Sequence, residues 1–221
     1  MADTVLLRIL SSMLILSYGS LQDIKRREID SIVWQAMVVL AAFFLVLDVY
    51  SEGEPRLLIP FIFIVLVGIV FSAGIHHLGL MGGGDAKLLI GLSAMFPLLP
   101  PGGRFIFPAL FLSVFTNAIL ISLLIPLWFF ISNIRMLPEV RGYRDLLRLF
   151  AARRKEAKDV GRFEAVLDDD RLFISTKNVE FGAGDRDGEV WAAPALPFIV
   201  FLTAGFVVSI LYGDILYILF A

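Results

Sequence analysis

The sequence predicts an all-α polytopic membrane protein, with six transmembrane helices and a small mixed α/β cytoplasmic insertion. Of its 221 residues, 58% are hydrophobic and the mean hydropathy is +0.85, which is too apolar for a soluble domain of this length. Several uncharged segments are about 17 to 25 residues long, as a membrane helix requires, whereas the strands of a transmembrane barrel alternate in hydrophobicity over about ten residues. Twelve of the nineteen Lys and Arg lie between residues 133 and 191, and this polar segment is the predicted insertion.

The predicted membrane helices are separated by short polar or proline-containing turns. Their approximate bounds are 5–22, 31–50, 57–75, 88–99, 105–132 and 197–220. The fourth offers only about 12 apolar residues, fewer than the roughly 20 that cross a hydrocarbon core, so the glycines before it are expected to lie below the membrane surface. The fifth is longer than a bilayer requires, and Pro108 and Pro126 predict a kink or an interfacial end.

The distribution of Lys and Arg predicts the orientation in the membrane. In this arrangement the three cations at residues 25–27, Lys87 and the insertion fall on one side, against Arg56 and Arg104 on the other. Because short loops rich in Lys and Arg stay in the cytoplasm, the first group marks the cytoplasmic side. The protein is therefore expected to be a multi-pass protein of the cell membrane, in contact with lipid.

The insertion divides the chain into three predicted segments. These are residues 1–134 with the first five helices, residues 135–191 with the soluble insertion, and residues 192–221 with the sixth helix. Residues 143–158 have the pattern of a basic helix with apolar side chains on one face, and residues 171–181 are compatible with one or two short strands. So short a segment buries little apolar surface, and we expect it to pack weakly by itself.

The stretch from Met81 to Lys87 places three glycines and Asp85 immediately before a membrane helix. An ionisable residue at membrane depth indicates a functional site, and irregular backbone there lines a watery cavity or lies inside protein. The predicted topology brings Asp23 to the same face, although more than sixty positions separate the two aspartates. Two carboxylates in a watery notch can share a proton, so that one activates a water and the other protonates the carbonyl oxygen under attack. Glycines beside Asp85 would let an extended peptide backbone approach closely.

Composition argues against several other kinds of chemistry. The chain has no cysteine, which excludes thiol catalysis and cysteine metal sites. His76 and His77 point to opposite sides of a helix and have no other ligands nearby in the sequence, so neither a metal nor another cofactor is expected. The net charge of −2 argues against nucleic acid as a partner.

Simpler interpretations of the same residues are open. Asp85 could cap the fourth helix, which would not exclude catalysis. Asp23 could be an ordinary interfacial residue at a helix end, and Lys87 could either extend to the interface or attract a substrate carboxylate. For the whole protein, an ion or proton transporter and a non-catalytic assembly factor are the alternatives to an enzyme.

Two motifs resemble those of a known family. The run GGGD at residues 82–85, with Lys87, matches the GxGD motif of type IV prepilin peptidases, and the turn at residues 23–29 resembles their first-aspartate turn. Together with the six-helix layout, these motifs are similar to the archaeal preflagellin peptidases of that family. The resemblance implies a membrane aspartyl endopeptidase that removes a short basic leader from preflagellin or prepilin-like precursors at the cytoplasmic membrane edge.

The resemblance also assigns roles to particular residues. It implies Asp23 and Asp85 as the catalytic pair. The residues expected to contact substrate are Gly82, Gly83, Gly84, Lys87, Pro194 and Leu196.

Residues 194–196 are similar to the proline-rich segment that opens the last helix in this family and to the PAL motif of the presenilin group, although proline also suits an ordinary helix start. A presenilin-like intramembrane protease, which would cut inside a membrane helix, is therefore the nearer alternative enzyme. The three adjacent carboxylates at residues 168–170 could attract a basic leader, although a solvated turn is the simpler interpretation of the same residues.

Overall fold

The structure is a computed structural model that describes residues 2–53, 58–100, 102–167, 181–182 and 188–220. The predicted outer residue Arg56, the acidic run at residues 168–170 and most of the segment 171–181 therefore lie outside the described residues. The chain forms two compact units: the first comprises Met1–Ile121 and Pro197–Ala221, and the second comprises Ser122–Leu196. The boundaries that the sequence suggests, at residues 134 and 191, stay predictions.

The first unit is helical. Its helices are α1 (Ala2–Arg26), α2 (Ser31–Glu52), α3 (Leu58–His77), α4 (Gly83–Met95), α5 (Leu110–Ser122), α8 (Phe198–Leu211) and α9 (Ile215–Phe220). The second unit begins with α6 (Leu124–Asn133), a short 3₁₀ segment (Ile134–Glu139) and α7 (Tyr143–Ala151). A small sheet follows, made of β1 (Arg153–Glu156), β2 (Glu164–Val166) and β3 (Glu189–Pro194).

Within the described part of the chain, four helices are long and apolar enough to cross a membrane, by length and composition. They are Thr4–Arg26, Ser31–Ser51, Leu58–His77 and Leu110–Glu139, the last of which joins α5, α6 and the 3₁₀ segment. The helix α4 has 13 residues and α8 has 14, so both are shorter than a single span requires. The prediction of a helical membrane protein with a small α/β part is confirmed, whereas the number of six transmembrane helices stays a prediction.

Two predicted helices are interrupted in the structure. The fifth breaks at Leu123, one turn before Pro126, whose missing N–H cannot bond to the preceding turn. The last helix breaks between α8 and α9, where Gly213 has a φ of +86°. A β-carbon added at Gly213 would lie 2.3 Å from the carbonyl oxygen of Arg104, so the break is fixed by a tertiary neighbour. The break just before Pro126 agrees with the kink predicted there, whereas the prediction of one continuous helix over residues 197–220 was wrong.

The core of the first unit surrounds α4, which packs against α2 and α3. Its buried residues include Leu88, Leu92 and Met95. Near the start of α1, Arg8 is only 3% exposed, and its guanidinium lies 2.7 Å from the carboxylate of Asp48 on α2 and donates to the carbonyl oxygen of Met95. This ion pair gives the buried arginine the partner that a charge among apolar helices requires.

The second unit packs an amphipathic helix and the sheet beside α6. In α7, Leu149 is buried and Phe150 stacks on Phe130 of α6 with ring centroids 4.4 Å apart. The predicted basic helix at residues 143–158 ends at Ala151, because the following residues form β1. The three antiparallel strands lie in the order β1-β3-β2, and β3 pairs with both neighbours.

Candidate active site

Asp23 lies in the last turn of α1 and is only 6% exposed. Its Oδ2 atom accepts a hydrogen bond of 3.0 Å from the backbone N–H of Ile199, in the first turn of α8. The first N–H groups of a helix have no partner within the helix, and they carry partial positive charge. The N-terminus of α8 therefore holds the Asp23 carboxylate in place.

Small polar side chains fix α1 against α8 near Asp23. The hydroxyl groups of Ser20 and Thr203 lie 2.7 Å apart, and Thr203 also donates to the carbonyl oxygen of Ile199. Gly19 allows close packing here, because a β-carbon at this position would lie 3.3 Å from Val33 and 3.5 Å from Ile199. The amide that binds Asp23 is thus anchored by contacts on the turn before the aspartate.

Asp85 is the third residue of α4, and Gly82 is the residue that caps the helix. The Asp85 carboxylate accepts a hydrogen bond from the backbone of Gly82. This is one half of a capping box, in which an acidic side chain at the third helical position satisfies the N–H of the capping residue. The capping interpretation of Asp85 thus describes a real contact, and the partly exposed carboxylate keeps further acceptor capacity.

The two aspartates come together in the first unit. Asp23 is close enough to Asp85 for the charges of the two carboxylates to interact, and Arg27 acts on Asp23 in the same way. The pairing joins the end of α1, the start of α4 and the start of α8. Two carboxylates whose charges interact do not ionise independently, so one can keep a proton while the other is ionised, as acid–base hydrolysis requires.

The three glycines of the GGGD run each have a close neighbour. A β-carbon at Gly82 would lie 3.0 Å from Oδ2 of Asp85, one at Gly83 would lie 3.5 Å from the ring of His76, and one at Gly84 would lie 3.1 Å from Cδ1 of Ile29. Gly83 and Gly84 are helical residues of α4 and not irregular backbone. A tight apolar contact is therefore present at Gly84, whereas the 3.5 Å at Gly83 is an ordinary contact distance, and contact of the three glycines with substrate stays a prediction.

His76 and Ile29 are site residues that the sequence did not reveal as such. The Nδ1 atom of His76 lies 2.9 Å from the carbonyl oxygen of Met81, so it carries the proton and donates to the segment between α3 and α4. Ile29 packs its side chain on Gly84. Neither contact can be predicted from residue spacing in the sequence, because each depends on the tertiary arrangement of the segments that join the helices.

Lys87 lies two residues after Asp85 in α4 and is exposed. Its ammonium group lies 5.7 Å from the ring centroid of Trp34, which is a cation–π distance. Pro194 and Leu196 belong to the second unit, where they line an apolar cavity of about 290 Å³ with Phe129 and Phe150. Across the described residues, no group of three or more His, Cys, Asp or Glu is arranged to hold a metal ion.

Comparison with known proteins gives consistent matches over most of the chain. The model of the type IV leader peptidase family matches residues 10–133, which include both aspartates, and that of the archaeal peptidase A24 C-terminus, type II, matches residues 143–215. A preflagellin peptidase of Methanocaldococcus jannaschii is 25% identical over 210 residues, covering 89% of each chain. Preflagellin peptidases of Methanococcus maripaludis and Methanococcus voltae are each 24% identical over 89% of this chain, and over 90% and 91% of those proteins respectively.

Proposed function

The chain belongs to the type IV leader peptidase family, and we propose that it is an aspartyl endopeptidase that removes the basic leader from preflagellin or a prepilin-like precursor. The observation that carries the proposal is the meeting of Asp23 and Asp85, which come from helices far apart in the sequence. The names of the relatives, preflagellin peptidase in three organisms, support preflagellin as the substrate class.

In the proposed mechanism the ionised member of the pair takes a proton from water, and the resulting hydroxide attacks the scissile carbonyl carbon. The protonated member gives its proton to the carbonyl oxygen. As the tetrahedral intermediate collapses, the C–N bond breaks and the leaving nitrogen receives the proton that the water lost. One hydroxyl of the intermediate returns its proton to the carboxylate that had donated it, so the C=O bond forms again and the pair is restored. The Ile199 amide keeps Asp23 in place throughout, and the backbone of Gly82 does the same for Asp85.

The proposal also includes an arrangement in the membrane. Six transmembrane helices, with α4 and α8 as short spans, would place the pair at the cytoplasmic edge, where a leader peptide is accessible before export. The Lys and Arg residues after α1 and in the second unit support this orientation. Gly82 to Gly84, Lys87, Pro194 and Leu196 are proposed substrate contacts.

The first prediction is that Asp23→Asn and Asp85→Asn each lower leader cleavage by at least about 100-fold, because either change removes one member of the acid–base pair. The purified protein in detergent is incubated with preflagellin, the initial rate is measured, and the new N-terminus is sequenced. Glu28→Gln is the matched control, since it removes an exposed carboxylate from the turn after α1.

Folding of each variant is checked by its thermal unfolding midpoint. Cleavage by a folded Asp85→Asn protein at the wild-type rate would remove the two-aspartate mechanism. A new N-terminus inside the membrane helix of the substrate would favour the presenilin-like alternative.

A further inference from the structure

The turn between α1 and α2 is closed by a reciprocal pair of hydrogen bonds between Gln22 and Asp30. The Nε2–H of Gln22 donates to Oδ2 of Asp30 at 2.7 Å, and the backbone N–H of Asp30 donates to Oε1 of Gln22 at 3.0 Å. Gln22 is only 7% exposed, whereas the Asp30 side chain is 54% exposed, so the bonds join a buried amide to a partly exposed carboxylate. We call this pair the Gln22–Asp30 clasp.

Asp30 has a different role from the one that its position just before α2 suggests. It is the capping residue of that helix and has extended backbone, but its side chain makes no capping hydrogen bond. An aspartate in this position ordinarily stabilises its helix through such a bond. Here the carboxylate binds Gln22 instead, and its ion pair with Arg26, at 3.9 Å and largely exposed, adds little.

The clasp connects the two halves of the candidate site. Gln22 is adjacent to Asp23, and Asp30 is adjacent to Ile29, whose side chain would be 3.1 Å from a β-carbon at Gly84. Gly84 in turn precedes Asp85 in the first turn of α4. The clasp is therefore linked to the turn that carries the second aspartate by one sequence neighbour, Ile29, and by its contact with Gly84.

We propose that Gln22 and Asp30 are positioning residues, which set the distance between the two aspartates by holding Ile29 against Gly84. This inference rests on the proposed function. A displacement of about 1 Å at a catalytic group can cost up to about 100-fold in rate, so loss of the clasp lowers kcat more than it changes KM.

The test is an exchange of partners across the clasp. Gln22→Glu sets two carboxylates against each other, and we expect kcat for preflagellin cleavage to fall on the order of tenfold or more, with little change in KM. Asp30→Asn keeps an acceptor for the Gln22 amide and should retain activity within about threefold of wild type. Adding Asp30→Asn to Gln22→Glu restores a donor–acceptor pair and should recover kcat to within about threefold, a non-additive result that independent sites do not give.

Arg26→Gln is the matched control, because it removes the weak ion pair with Asp30 and leaves the clasp intact. It should cleave at the wild-type rate. A Gln22→Glu protein with normal kcat, or a double variant no more active than Gln22→Glu alone, would overturn the inference.

A second measurement requires no substrate. The side chain in Gln22→Asn is one methylene shorter and cannot make both hydrogen bonds with Asp30. This variant replaces Gln22→Glu in the test if Gln22→Glu fails to fold. Its hydrogen exchange should be faster than wild type at the Asp30 amide and also across residues 82–86. Unchanged exchange at residues 82–86 would contradict the coupling, whereas failure of the wild-type protein to cleave preflagellin would count against the proposed function alone.

Discussion

At the scale of single residues, the contact between Ile29 and Gly84 shows how closely the two aspartate-bearing turns meet. The distance of 3.1 Å from Cδ1 of Ile29 to a β-carbon at Gly84 is tighter than an ordinary van der Waals contact. Either Ile29 or the start of α4 would have to move to admit a methyl group. A larger residue here would thus press on Ile29, whereas the φ angle would suit any residue, since α4 is already helical there.

We therefore expect Gly84→Ala to reduce cleavage several-fold, on the order of the cost of a sub-ångström displacement at the site. Ile29→Val removes the Cδ1 atom, so Gly84→Ala combined with Ile29→Val should recover part of the lost rate. Initial rates on preflagellin measure both effects.

Gly74→Ala is the control for adding a methyl group to a helical glycine, because a β-carbon there has no neighbour within 4 Å. It should leave the rate unchanged and raise stability by about 0.5–1 kcal/mol. Equal cleavage rates for Gly84→Ala and Gly74→Ala would mean that the Ile29 side chain can move to admit the methyl group without displacing Asp85.

At the scale of elements, an ion pair joins β1 and β2 in the sheet of the second unit. The ammonium group of Lys155 lies 2.7 Å from the carboxylate of Glu164, which also accepts a 2.6 Å hydrogen bond from the N–H of Gly161. Burial by itself would raise the pKa of Glu164, but the hydrogen bonds from Lys155 and Gly161 and the nearby positive charges outweigh it. The pKa of Glu164 therefore lies below its ordinary value of 4.5.

A carboxyl group whose pKa is lower in the folded state stabilises that state only when it is ionised. Its contribution is complete above the unfolded pKa and is lost as the pH falls from about 4.5 through the folded value. We expect Glu164→Gln to abolish this part of the acid sensitivity, so that its unfolding midpoint falls less than that of the wild type between neutral pH and acid.

The measurement follows Trp191 fluorescence on heating, in a chain whose other two tryptophans are replaced by Phe. Glu189→Gln is the matched control, because the Glu189 side chain is 58% exposed and its ion pair with Arg154 is a surface contact. If the unfolding midpoint of Glu164→Gln depends on pH in the same way as that of the chain with Glu164, the Lys155–Glu164 ion pair does not contribute to the acid sensitivity.

At the scale of the whole molecule, hydropathy predicted where the long helices lie but not where they break. An apolar run predicts a helix from composition, and α1, α2 and α3 begin and end within a few residues of the predicted bounds. The break at Gly213 is different, because the carbonyl oxygen of Arg104, more than a hundred positions away, decides it. Information of that kind is not present in the local sequence.

The candidate site divides in the same way. The sequence could predict that Asp23 and Asp85 lie near each other, because charge and hydropathy assign both to the same predicted membrane face. The hydrogen bond from the Ile199 amide could not be predicted, since every residue but proline has a backbone donor and nothing in the sequence marks this one. The Gln22–Asp30 clasp was hidden too, because Gln22 lies at a helix end and Asp30 reads as an ordinary capping residue.

The last prediction concerns the orientation of the whole chain in the membrane. Since the protein has no cysteine, single cysteines can be introduced without background labelling. Glu28→Cys lies in the turn after α1, and Leu98→Cys lies after α4; both residues are exposed. If α4 spans the membrane and the aspartates face the cytoplasm, a membrane-impermeant thiol reagent should label Leu98→Cys in intact cells and Glu28→Cys only in inverted vesicles. Labelling of both positions from the same side would refute α4 as a spanning helix. Labelling of Glu28→Cys in intact cells would place the aspartate pair on the outer face, away from a precursor that has not yet been exported.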